Sequence, residues 1–237
     1  MQQFWSIRGK KVLCLHHLFF VDFHQTIQKT LTGFFIFGYR RSALHFAKLI
    51  NTELPIVTHW GTSFSQNGLC SDEYVNKNSG LGITIELGAI SPTFDSDQYE
   101  LGVKCALSAI ERVTQYLNLS PLPLNVASLN TNLPLSTEEM IQGYGQLYTW
   151  AHIEPWPVGH SVELETGLVN FKDINKGDIY ASIDGKPLCA PTSGKILFPK
   201  YLSASKQKEL ESSGQLPKEL IRIARPIVRE ELPENPL

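Results

Sequence analysis

No stretch of about 18 consecutive apolar residues occurs in this chain, so no segment has the length and apolarity of a membrane-spanning helix. Charge of one sign is also scarce: the formal net charge is -2, which gives no basic surplus to attract nucleic acid or an anionic lipid surface. Cysteine is sparse and scattered. The 4 cysteines, Cys14, Cys70, Cys105 and Cys189, show no C-x-x-C spacing and no disulfide framework, and they read as separate thiols of a reducing compartment. A secretory leader is not expected either. Arg8, Lys10 and Lys11 precede an apolar stretch, but His16, His17 and Asp22 interrupt it and no small-x-small cleavage site follows. A cytoplasmic protein is the expectation.

What is present suits a soluble globular fold. The 237 residues, 42% of them hydrophobic and 19% charged, can bury a core without staples as one large domain or two small ones. The most informative stretch is residues 18–26, LFFVDFHQT. Its apolar run has the composition of a buried strand, and Asp22 and His24 stand at the carboxyl end, where open α/β sheets place their ligands. The period of two puts both on one face with Phe23 on the other. A neutral imidazole beside a carboxylate is equipped as a metal ligand or general base, although a lone Asp-x-His is a common pair.

A second strand is expected at 34–39 (FFIFGY) and a helix after Ser42, with Ser42 as its cap and Leu44, Ala47, Leu49 and Ile50 on its packed face. Arg40 and Arg41 sit between them. They could bind a carboxylate bidentately, and they suit solvent-facing positions at a helix start equally well. A short strand at 55–58 leads to His59, and residues 59–81 then form a long Gly-, Ser- and Asn-rich loop. The strand at 82–88, GITIELG, carries Glu86 between Ile85 and Leu87. Burial there would raise its pKa toward the range of a general base, whereas an edge position would leave it facing water. Asp95 or Ser96 caps the clearest helix, with Leu101, Cys105, Ala109, Ile110, Val113 and Leu117 at spacings of three and four.

Composition changes at Asn118. Three prolines among several Asn and Ser residues read as a linker over 119–136, dividing an α/β part, 1–118, from a β part, 137–237. In the second part Lys176-Gly177 and Asp184-Gly185 mark turns, 187–199 fits two short strands, and 219–225 a last one; the whole reads as a small β-barrel or barrel-sandwich domain.

FVDFHQTI, GITIELG, GLVNFKDINKGD and APTSGKILFPKY, in that order, resemble the succinylglutamate desuccinylase and aspartoacylase family, zinc-dependent amidohydrolases with a carboxypeptidase-like α/β domain followed by a β domain. The resemblance implies His24 as a zinc ligand and Glu86 as the catalytic carboxylate; a supporting role for Asp22 in orienting the imidazole follows from its spacing. It also implies a small N-acyl amino acid or related amide as substrate. Nucleic acid and membrane are not expected as partners, and a homo-oligomer is compatible with the pattern. The family's other two zinc ligands come from an H-x-x-E motif near the amino terminus, and no such motif precedes Asp22. The chain is therefore expected to begin inside the catalytic domain. His16, His17 and His59 are the replacements to weigh, while His45, His152 and His160 read as structural or surface residues.

Two rivals accompany the hydrolase. One is a degenerate relative that binds without catalysis, favoured by the missing ligands. The other is a carrier function, because IDGKPLCAPTSGKILFP is similar to biotinyl and lipoyl domains; Lys186, in Asp-Gly-Lys-Pro, does not match the modified lysine of those domains.

Overall fold

The computed structural model describes residues 4–7, 10–13, 18–60, 64, 70–89, 96–119, 147–227 and 231. Cys14, His16, His17, Asp95 and the 120–136 part of the expected linker lie outside the described residues. An antiparallel hairpin of β1 (Phe4–Ile7) and β2 (Lys10–Leu13) comes first. The α/β part follows as β3 (Phe19–Thr26), β4 (Phe34–Gly38), α1 (Arg41–Ile50), β5 (Ile56–His59), α2 (Ser71–Lys77), β6 (Leu81–Ala89) and α3 (Ser96–Leu119). After it come β7 (Leu147–Pro155), β8 (Val162–Leu164), β9 (Asp173–Ile174), β10 (Ile179–Ile183), β11 (Lys186–Cys189), β12 (Gly194–Leu197), α4 (Ala204–Ser212) and β13 (Glu219–Pro226).

One mixed sheet of 8 strands, in the order β3-β6-β4-β5-β7-β13-β12-β9, draws on both halves of the chain. β3 runs parallel to β6, and β4 runs antiparallel to β6 but parallel to β5. Alternation along the strands separates two cores. Phe35, Phe37, Ile83 and Ile85 face α1 and α3, while Phe34 and Ile36 point to the other side and meet Val57, Tyr148, Phe171, Leu197 and Ala224. A second sheet, β11-β10-β8, packs with β9, β12 and β13 around Val162, Leu164, Tyr180, Ile196, Ile221 and Ile223. The architecture is thus the expected mixed α/β sheet with flanking helices, together with a small β portion.

Several local expectations shift. Ser42 does not cap α1: the cap position is Arg40, which offers no side-chain bond, and Ser42 is buried in the first turn. On α3 the row Leu101, Cys105, Ala109 and Val113 packs as expected, but Ile110 is 64% exposed. It follows Ala109 by one residue and is turned about 100° round the helix, away from the sheet. The long loop between His59 and Leu81 contains α2, which lies against Gly82: a Cβ on Gly82 would come within 2.6 Å of the Asp72 carbonyl oxygen. The Asp184-Gly185 turn is confirmed, with φ of 50° and 76° joining β10 to β11 in the two-residue geometry that such residues favour. Lys186 opens β11 there, an exposed strand position.

Candidate functional site

β3 and β6 pair in register so that His24 lies beside Glu86, and β4 places Phe34 on the other side of Glu86. Residues 62 positions apart in sequence thereby form one row on the sheet face that α1 and α3 leave uncovered. Asp22 follows the period of two onto the same face, its Oδ2 3.8 Å from His24 Nδ1. The row forms the floor of a cleft of about 390 Å³ lined by residues 24–27, Glu86, Phe64, Phe198, Lys200, residues 217–219 and Arg222.

Glu86 is 5% exposed, and its Oε2 is buried with no hydrogen-bond partner among the described residues. Burial pushes its pKa up to about 7; the opposing charge of His24 pulls it down, Asp22 pushes it up and Lys200 pulls it down. The edge-strand alternative therefore fails, since β6 is flanked on both sides by β3 and β4. His24 is open to the cleft, its side chain 60% exposed.

The opposite wall comes from the β portion, and the sequence reading did not single out its residues. Arg222 is 5% exposed and bonds Glu219 twice, Nε to Oε2 at 2.6 Å and Nη2 to Oε1 at 2.8 Å. Its guanidinium also donates to the Phe64 carbonyl at 3.2 Å and stacks 4.2 Å from the Phe64 ring and 4.7 Å from that of Trp150. Lys200 follows β12, its Nζ 5.9 Å from the Phe198 ring centroid, and burial lowers its pKa. The only sequence signal for this wall was FPKY within the resembling stretch.

Arg40 and Arg41 are elsewhere. β4 is antiparallel to β6, so its carboxyl end at Gly38 lies about 13 Å from Phe34 at 3.3 Å per residue, toward the other end of the strands. There Arg40 Nη1 donates to the carbonyls of Asn76 at 2.9 Å and Gly80 at 2.6 Å, bracing the end of α2. Neither arginine lines the cleft. His59 ends β5 3.6 Å from Glu73, stacked on Trp150 and with its ring 6.1 Å from that of Phe64; it stands behind the Phe64 wall and does not itself line the cleft. The spelling H-x-x-E does occur, at His160 to Glu163 running into β8, but His160 Nδ1 is hydrogen-bonded to Asp184 Oδ2 at 2.7 Å and neither His160 nor Glu163 lines the cleft.

A catalytic zinc takes three protein ligands and keeps an open position. Among the described residues His24 is the only imidazole in the cleft, and no group of three His, Cys, Asp or Glu side chains could hold a metal ion. The described residues do not fit a complete zinc site, and no chemical step is assigned to a metal below.

No protein-family model and no curated protein matches the chain. Solved structures do. Succinylglutamate desuccinylase from Vibrio parahaemolyticus matches with a TM-score of 0.53 at 13% identity, covering 88% of this chain and 53% of its own. Succinylglutamate desuccinylase/aspartoacylase from Rhodobacter sphaeroides gives 0.52 at 12% identity, with 88% and 58% covered. The product-bound ectoine utilization protein from Ruegeria pomeroyi gives 0.52 at 14% identity, with 86% and 57% covered. This chain spans little more than half the length of these proteins. On these matches the chain has the fold of the succinylglutamate desuccinylase and aspartoacylase structures.

Proposed function

We propose that the chain is a deacylase, a hydrolase that cleaves the amide bond of a small N-acyl amino acid, with Glu86 as its general base. The observation that carries this reading is the buried Glu86 carboxyl, with one oxygen unpartnered among the described residues, in a cleft beside His24. A carboxylate whose pKa stands near 7 accepts a proton readily and returns it readily. Glu86 takes a proton from the attacking water as the oxygen bonds to the acyl carbon. It then delivers that proton to the departing nitrogen as the C–N bond breaks, leaving a carboxylate and a free amine. Asp22, its Oδ2 3.8 Å from His24 Nδ1, supplies a nearby negative charge that favours the ring's orientation toward it. In solved structures of the same fold the named activity is desuccinylase or aspartoacylase, which fits this chemistry.

A second reading has its own observation. His24 stands without two further ligands among the described residues, which favours a protein that binds the same compounds without turning them over. Hydrolysis of a panel of N-acyl amino acids, with and without added zinc, separates the two. The deacylase releases free amine and loses roughly 100-fold or more of that rate in Glu86→Gln. The binder releases none and still gives a binding isotherm.

A further inference from the structure

α3 is apolar on two sides. Leu101, Cys105, Ala109 and Val113 pack on the sheet, while Tyr99, Val103, Leu107 and Ile110 point the other way and are 60%, 36%, 62% and 64% exposed. Thr114 continues the outer row and is exposed as well. From Val103 to Leu107, Ile110 and Thr114 the steps are four, three and four residues, the alternation of a and d positions in a coiled-coil seam. These side chains therefore join into one strip about 16 Å long at 1.5 Å per residue. Single apolar residues are common on protein surfaces, but a continuous strip of them marks a place of contact.

The charges beside the strip decide what fits it. One flank carries Lys104 and Glu111, and the other carries Ala106 and Val113, which are partly buried. Lys104 makes no hydrogen bond or ion pair among the described residues, and Glu111 accepts one hydrogen bond, at Oε1 from Gln115 Nε2 at 2.9 Å. Lys104 stands three residues before Leu107, and Glu111 one residue after Ile110. A second α3 running antiparallel about a two-fold axis near residue 108 thus sets each Lys104 against Glu111 of the other copy. The same axis sets Leu107 against Ile110 and Val103 against Thr114. A parallel second helix would set the charged flank against Ala106 and Val113 instead. The strip is complementary to itself, and in the antiparallel orientation only.

We propose that the outer face of α3 is the interface of a two-fold homodimer, in which two α3 helices pack antiparallel through Val103, Leu107, Ile110 and Thr114 between two Lys104–Glu111 ion pairs. Four layers make a short seam at the small end of specific interfaces, so the dimer dissociates in the range of about 1–50 µM. α3 covers the sheet face opposite Glu86, so both clefts stay open and neither copy adds a residue to the other's site. The interface is independent of the deacylase reading.

Sedimentation equilibrium of the whole chain from about 1 to about 200 µM reads the association, and the mass is expected to rise from monomer to dimer across that range. Leu107→Asp combined with Ile110→Asp changes two exposed positions, so it keeps the circular dichroism and Tm of the parent and leaves a monomer throughout. Lys104→Glu alone and Glu111→Lys alone each convert both ion pairs to like-charge contacts and weaken the dimer roughly tenfold; the two reversals together restore it to within about twofold. A chain that stays monomeric at about 200 µM, a dimer indifferent to the Leu107→Asp and Ile110→Asp pair, or single reversals that the double reversal does not rescue overturns the proposal.

Discussion

Glu86 links sequence to chemistry through a single physical cost. A carboxyl placed between Ile85 and Leu87 on a central strand loses its water, so the neutral form gains. The sign follows from the shift. Its pKa in the folded chain is about 7 against an ordinary 4.5, so the stability it contributes is full below pH 4.5 and is lost as pH rises through 7. Glu86→Gln stays neutral throughout. Its Tm is expected to move above that of the parent protein as pH rises from about 5 to about 8, a widening that differential scanning calorimetry would register; a constant offset would mean that Glu86 is not buried as a carboxyl. Activity runs the other way, since the base must be ionised: the rate rises with pH through about 7. Asp22, His24 and Glu86 were legible in sequence because composition betrays polar residues in apolar strands. Lys200 and Arg222 were not, since a lysine after a short strand and an arginine within another look like ordinary surface charges until the sheet brings them opposite Glu86.

Elements were readable where periodicity is strong. β4 and β6 are apolar on both faces or nearly so, and α3 carries a clean row at spacings of four. The helices that escaped lack that signal. α4 buries only Gln207, whose amide bonds the Val162 backbone on both sides, N–H to Oε1 at 3.2 Å and Nε2 to carbonyl at 2.6 Å. Ser203 caps it by accepting from the Lys206 N–H, a local cue too common to predict a helix unaided. α2 is 7 residues long and sits in a stretch rich in Gly, Ser and Asn; Glu73 accepting from the Cys70 N–H at 3.1 Å was its one signature. Gly82 is what lets α2 rest on β6. Gly82→Ala is expected to destabilise the protein by about 1–3 kcal/mol, because its Cβ would meet Asp72 backbone rather than a movable side chain. Urea unfolding measures this, and a neutral result would show that α2 docks elsewhere.

At the scale of the molecule, the cleft exists because two halves of the chain share one sheet and one aromatic core. Phe34 and Val57 from the first half pack with Tyr148, Phe171 and Leu197 from the second. Strand order of this kind is set by long-range pairing, which composition and local pattern do not encode. Asn170 makes the joint explicit. It is fully buried, its N–H donates to the Lys29 carbonyl at 2.9 Å, its carbonyl accepts from Leu31 N–H at 3.0 Å, and its Oδ1 holds Phe198. It ties the segment after β3 to the wall that bears Lys200. Asn170→Ala is expected to cost about 1–3 kcal/mol by leaving the Phe198 N–H unpaired, which urea unfolding measures; unchanged stability would show that the wall does not depend on this joint. The account rests most heavily on Glu86 as a base in this cleft. The most direct measurement is amine release from N-acyl amino acids by the parent protein and by Glu86→Gln at equal fold and equal zinc. A loss of roughly 100-fold or more with ligand binding retained is the predicted result, and equal rates in the two proteins would contradict it.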